Sequence, residues 1–190
     1  MTKMSGSRRA WLSRGLAVAA AAAVWGITGP AFAQDPSRLN ADAKRALAKL
    51  VATVPGAQAL NEKAVAVLVF PRITKVGLVF GGQYGEGVLF RDGKPAGYFA
   101  NMGASWGLQA GAQQYGYAMF FMSEGALGAL TSTSGFEIGV GPSVVVVDQG
   151  MAKLLTTMNL DSDIYAFVFS QRGLMAGMGL RGNRIVAVSR

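Results

Sequence analysis

The chain has 190 residues, with 18 Lys or Arg, 10 Asp or Glu, no His and no Cys. The two absences exclude a cysteine nucleophile, a Cys/His zinc or haem site, a disulfide framework and a Ser-His-Asp triad. With 51% hydrophobic and 15% charged residues, the composition is that of a folded domain and not of a disordered chain.

Residues 1–33 have the three parts of an export signal. Lys3, Arg8, Arg9 and Arg14 make a basic start, 16–27 is an Ala-rich apolar stretch, and Ala31-Phe32-Ala33 is a cleavage site. Ser7-Arg8-Arg9-Ala10-Trp11-Leu12 is similar to a twin-arginine signal. The expected mature start is Gln34, leaving one domain over 34–190 that is periplasmic or secreted and peripheral to the membrane. That domain keeps 14 cations against 10 acids, a net charge of +4. Such an excess suits anionic surfaces and does not call for nucleic acid.

Leu39, Ala43, Ala46, Leu47, Leu50 and Val54 follow helical spacing, so the first element is a helix over 36–54, stopped by Pro55-Gly56. Arg38, Asp42, Arg45 and Lys49 fall on the neighbouring stripe. From Val65 the pattern is β. A strand over 65–70 ends at Pro71, and strands at 76–80 and 85–90 follow. Asp92-Gly93 is a two-residue hairpin turn, because both central positions need positive φ. The return strand covers 96–100. Two more strands cover 105–112 and 115–122. Ser123-Glu124 caps a helix through Leu130. Strands at 136–140 and 144–147, a short helix at 150–157 and strands at 164–169, 174–180 and 185–188 complete the set. Gly182-Asn183 is the last turn.

The 26 glycines follow a weak repeat, G-x-x-x-G-x-G, at Gly81/Gly85/Gly87, Gly135/Gly139/Gly141 and Gly173/Gly177/Gly179. Gly103/Gly107/Gly111 is related. Even spacing puts the glycines of a strand on one face. A face without side chains lets another backbone approach, or lets the sheet bend. With a two-residue turn at Asp92-Gly93, Tyr98 falls opposite Gly87 and covers it. The fold class expected is α+β: an antiparallel, Gly-rich sheet curled into a barrel or sandwich, packed with a leading helix and one or two short helices.

Val69-Phe70-Pro71-Arg72-Ile73-Thr74-Lys75-Val76-Gly77 and Gly81-Gly82-Gln83-Tyr84-Gly85-Glu86-Gly87-Val88-Leu89 resemble the SYLF-domain family. Ser105-Trp106-Gly107-Leu108-Gln109-Ala110-Gly111-Ala112-Gln113 and Gly173-Leu174-Met175-Ala176-Gly177 extend the likeness in order over about residues 41 to 190. The resemblance implies affinity for anionic lipid, since eukaryotic relatives bind phosphoinositide membranes. Some fungal relatives bundle actin with help from a separate SH3 domain. This sequence shows an export-type leader and no SH3 domain, so actin is not the expected physiological partner.

The residues themselves offer Arg72 and Lys75 as a basic loop and, with Arg38, Arg45, Lys49 and Lys63, six headgroup contacts. Each cation near an anionic bilayer contributes about 1 kcal/mol, provided several share one face. Two further readings stay open. One is an envelope module whose bare glycine face or groove receives a protein partner. The other is a hydrolase-like enzyme using Glu86, Glu137 or Lys75. Asn159-Leu160-Asp161-Ser162-Asp163 has too few oxygen ligands for a calcium loop and is expected as a turn. Trp106, Tyr115, Tyr117, Phe120 and Phe121 alternate as core residues do. Nothing in the sequence calls for a cofactor or a metal. The expected function is non-catalytic, reversible association with anionic phospholipid or phosphoinositide membranes.

Overall fold

The computed structural model describes residues 34–77, 80–106, 111–132, 135–137, 141–147, 161–173 and 183–190. The expected leader, the helix at 150–157, the strand at 174–180, Gly139 of the second glycine repeat and Gly177 and Gly179 of the third lie outside these residues.

The first helix, α1, spans Pro36–Thr53. Its start is fixed by Asp35, whose carboxylate accepts from the Ser37 and Arg38 backbone N–H groups, and by Pro36 in the first turn. Leu39, Ala43 and Leu50 are its buried stripe. Pro55 ends α1 as expected, but it also opens a helix absent from the sequence reading, α2 (Pro55–Lys63). Proline lacks the N–H that a first helical turn leaves unpaired anyway, so one residue serves both purposes.

The strands are β1 (Ala66–Gly77), β2 (Phe80–Arg91), β3 (Lys94–Trp106) and β4 (Gly111–Phe121), then helix α3 (Glu124–Thr131), then β5 (Phe136–Glu137), β6 (Val144–Val147), β7 (Ile164–Gly173) and β8 (Asn183–Val188). They form one sheet in the order β5-β8-β3-β2-β1-β4-β7-β6, antiparallel except for the β6–β7 pair. Helix α3 touches both β4 and β8. Those strands are four places apart in the sheet, about 19 Å if it were flat, and a helix is only about 10 Å wide. The sheet therefore curls around α3 as a half-barrel, and the fold is α+β as expected.

Two cores follow from the curl. Leu68, Phe70, Ile73, Leu89, Phe99, Tyr117, Met119 and Phe121 fill the concave side with α3. Val67, Val69, Val88, Phe90, Ala118 and Phe120 fill the outer side beneath α1 and α2. Phe70 stacks on Tyr117 inside, while Phe120 meets Phe167 edge-on outside.

The hairpin turn at Asp92-Gly93 forms as expected, with φ of 51° and 71°, and Ser123 caps α3 by accepting from the Ala126 N–H. Four readings need correction. Pro71 does not end β1. It sits in a bulge, where the ladder jumps from Val69↔Val88 to Arg72↔Glu86, and the strand continues to Gly77. The expected strand at 76–80 divides between the end of β1 and the start of β2. Tyr98 does not cover Gly87. One extra residue, Ala96, lies between the pairs Leu89↔Gly97 and Phe90↔Pro95, so Tyr98 faces Val88 and Phe99 faces Gly87. The cover over Gly87 is the Phe70 ring, 2.6 Å from where a Cβ would lie. Asn183 is also not a turn residue, since it begins β8 and is buried.

Gly87→Ala should destabilise the domain by about 1–3 kcal/mol, because the added methyl must displace a fully buried ring. Gly82, with nothing nearer than the Gly103 carbonyl oxygen at 3.9 Å, should accept Ala with a change within about 0.5 kcal/mol. Urea unfolding of both variants checks the contrast.

Candidate functional site

A strand sends alternate residues to opposite faces, and the ladder fixes which residues lie side by side. On the outer face beyond α1, one row crosses six strands: Arg184, Met102, Tyr84, Thr74, Gln114 and Arg172. The next row toward the strand ends is Ala104, Gly82, Val76 and Ala112. Phe80 begins β2 two positions before Gly82. Here the sheet is uncovered: Val76 is 51% exposed, Phe80 74%, Tyr84 42% and Met102 42%. Small residues at 82, 104 and 112 leave these large side chains standing as a low apolar patch. Arg172 and Arg184 lie at its two flanks, and Arg72 lies one row back.

The six cations expected from sequence do not all gather there. Arg72 does, exposed on this outer face. Arg38, Arg45 and Lys49 are exposed along one flank of α1, with Arg45 held by Asp42. Lys63 is the last residue of α2. Lys75 is buried on the concave side, cross-strand from Gln83 and Gln113. Arg72 and Lys75 are therefore not a basic loop. They are two strand residues on opposite faces. Arg172 and Arg184 were missed because only the pairing of distant strands brings them beside Met102 and Gln114.

The boundary between the covered and bare parts of the outer face is an ionic latch. Glu86 accepts from the Gln34 backbone N–H at 3.0 Å and from the Tyr84 hydroxyl at 3.0 Å, and pairs with Arg190. The Arg190 and Glu86 side chains are only 7% and 10% exposed. The Arg190 guanidinium also lies 5.7 Å from the Tyr98 ring centre, and Tyr98 accepts from Asn40 of α1. Burial works against ionisation of Glu86, but the three donors outweigh it and hold its carboxyl below the ordinary value. Burial, reinforced by Glu86, raises the Tyr84 hydroxyl.

The two carboxylates of the enzymatic reading do not converge. Glu86 is on β2, and Glu137 is on β5, three strand places away, about 14 Å. Asp163 accepts from the Ser143 N–H and hydroxyl, as a residue closing a turn does. Among the described residues no group of three or more His, Cys, Asp or Glu is placed to hold a metal.

A family model described as "Ysc84: Las17-binding protein actin regulator" matches residues 102–189. Over that stretch the chain is similar to the Ysc84, or SYLF, family. The match starts at Met102, in the outer patch, and takes in Arg172 and Arg184. It begins after the Phe70-Pro71 and Gly82-Gln83-Tyr84-Gly85 stretches on which part of the resemblance rests. No curated protein matches the chain significantly. No described helix is long and apolar enough to cross a membrane.

Because the Glu86 carboxyl titrates lower in the folded domain than in the unfolded chain, its contribution is complete above the unfolded value of about 4.3 and disappears as pH falls through the folded value. Stability should fall on acidification through that window, and Glu86→Gln should make the fall shallower. At neutral pH the same substitution should cost about 2–3 kcal/mol, since Arg190 loses its anion. Urea midpoints measured from pH 3 to 7 for both proteins check the sign and the size.

Proposed function

We propose that this domain is a non-catalytic lipid-binding module that sets the uncovered outer end of its sheet against an anionic phospholipid bilayer. The observation that supports this reading is the outer row, with exposed Tyr84 and Met102 between Arg172 and Arg184, next to Val76, Phe80 and Arg72. Apolar side chains of that size enter the headgroup and acyl boundary, while guanidinium groups meet lipid phosphates. Neither part is strong alone. Each arginine contributes about 1 kcal/mol and is screened within about 8 Å at physiological salt. Together they give a reversible contact.

The remaining cations act at longer range in this reading. Arg38, Arg45 and Lys49 on α1, with Lys63, add to the attraction without touching headgroups. Lys75, on the concave side, takes no part in this contact. Residues 1–33, read as an export signal, would deliver the domain to the periplasm or the exterior. Its membrane would then be the cell's own anionic phospholipid, and actin would not be a physiological partner.

Vesicle co-sedimentation tests the reading. The protein should pellet with phosphatidylglycerol-containing vesicles at low salt, and less at high salt or with phosphatidylcholine alone. Arg72→Gln with Arg172→Gln should weaken binding by about 30-fold, at roughly 1 kcal/mol for each charge. Phe80→Ser should weaken it by roughly tenfold through lost apolar burial. Arg45→Gln should change it by no more than about threefold. Equal recovery with neutral and anionic vesicles would overturn the lipid reading and point to a protein-binding face.

A further inference from the structure

The concave side carries a second set of polar residues that the bilayer contact does not use. One row across the half-barrel reads Asn183, Gly103, Gln83, Lys75, Gln113 and Gly173, one residue from each of β8, β3, β2, β1, β4 and β7. Asn101 lies two residues along β3 from Gly103, and Tyr115 two along β4 from Gln113. Lys75, Gln83, Asn101, Gln113 and Asn183 are each at least nine-tenths buried. Interiors hold groups like these only when their hydrogen bonds and charges are met.

Here they are met only in part. The Tyr115 hydroxyl donates to Gln83 Oε1 at 3.2 Å, and Gln83 Nε2 donates to Asn101 Oδ1 at 2.8 Å. That relay fixes which way both amides point and leaves Asn101 Nδ2 with no acceptor. Asn183 Nδ2, Gln113 Oε1 and the Tyr117 hydroxyl are equally unpartnered. Among the described residues no carboxylate pairs with Lys75. The groups are neighbours. Asn183 Oδ1 and Gln83 Cγ lie 2.4 and 3.1 Å from where a Gly103 Cβ would be. Gln83 and Gln113 are the two cross-strand partners of Lys75, and the Tyr115 and Tyr117 hydroxyls interact electrostatically.

We propose that this row is an internal receptor for a tetrahedral oxyanion of the phosphate class, held by Lys75 Nζ and by the side-chain donors of Asn101, Asn183 and Tyr117. The donors come from four different strands, which suits a tetrahedral group better than a flat carboxylate. Gln113 Oε1 accepts from a protonated phosphate oxygen or from a hydroxyl beside it. A phosphate group reaches the row from either of two sources, free phosphate or a lipid headgroup. The receptor does not depend on the outer patch, because alternate residues of the same strands form the two.

Thermal unfolding of the full chain tests the receptor. Inorganic phosphate at ten times its Kd should raise Tm by about 3–6 °C over chloride at equal ionic strength. If the source is a lipid headgroup, phosphatidylglycerol vesicles should produce the rise and inorganic phosphate should not. Lys75→Met should abolish either response and raise the Tm of the ligand-free protein, because a buried charge without a counter-ion is replaced by an apolar chain of similar length. Gln113→Glu, beside Lys75 in the ladder, should supply the anion internally, raising the ligand-free Tm and suppressing the response. No response to either source in the unaltered protein would overturn the proposal. So would a response that survives in both variants, which marks a general salt effect, or a Lys75→Met protein that unfolds at lower temperature without ligand. Arg72→Gln with Arg172→Gln should leave the response to inorganic phosphate unchanged, so failure of the membrane reading and failure of the receptor are separately visible.

Discussion

The constraint on which the half-barrel depends is the absence of a Cβ at chosen points of its concave face. Gly85 takes the Ile73 side chain at 2.7 Å from its missing Cβ position, and Gly87 takes the Phe70 ring at 2.6 Å. A sheet that curls brings the side chains of its inner face together, and a close-packed interior has room for only some of them. Here one strand gives up its side chains so that its neighbour's can lie flat over its backbone. The curl, the tight concave core and the single layer of large residues around α3 are all consequences.

Much of this was legible in the sequence where the chemistry is local. Asp92-Gly93 needs positive φ at both positions, Ser123 supplies a cap, and the stripe of α1 repeats at helical spacing. Those features fixed the hairpin and two helices. The even spacing of Gly81, Gly85 and Gly87 placed them on one face, but not what would cover them. Features that depend on pairing were not legible. A single extra residue at Ala96 exchanges the faces of Tyr98 and Phe99, and nothing in the run of residues announces it. Arg172 and Arg184 are far from Met102 in sequence and adjacent to its row only through the ladder. Pro55 was read as a stop because a proline's two roles, ending one helix and opening another, are the same residue in the same dihedral.

The two candidate sites share their strands and divide their chemistry by face. On the outside, Val76, Phe80, Tyr84 and Met102 stand exposed, where water is already present and a bilayer would replace it. On the inside, Asn101, Gln113 and Asn183 sit where burial has already been achieved and the full set of hydrogen bonds has not. The outer patch is therefore suited to a large, fluid partner whose contact is additive and salt-sensitive. The inner row is suited to a small group with defined geometry, because its amides are already oriented by the Tyr115–Gln83–Asn101 relay and cannot adapt cheaply.

The division itself traces to Pro71. Proline has no N–H to give to a ladder, so β1 skips there on both sides. Toward β2 the register jumps from Val69 to Arg72, and toward β4 from Phe70 to Ile73. The residues left opposite the bulge, Gly87 on β2 and Gly116 on β4, are both glycines, lying against the rings of Phe70 and Phe169. In an uninterrupted strand, Phe70 facing inward would put Arg72 and Thr74 inward and Lys75 outward. The bulge reverses that parity. It sends Arg72 to the exposed outer face and Lys75 into the concave row. Reading the two cations as one basic loop was thus an error of parity, and the residue that causes it stands between Phe70 and Arg72. Without the bulge, the pairing carried on from Val69 and Phe70 would turn Lys75 outward and set Thr74 between Gln83 and Gln113, so the inner receptor and the outer arginine stand or fall with the same irregularity.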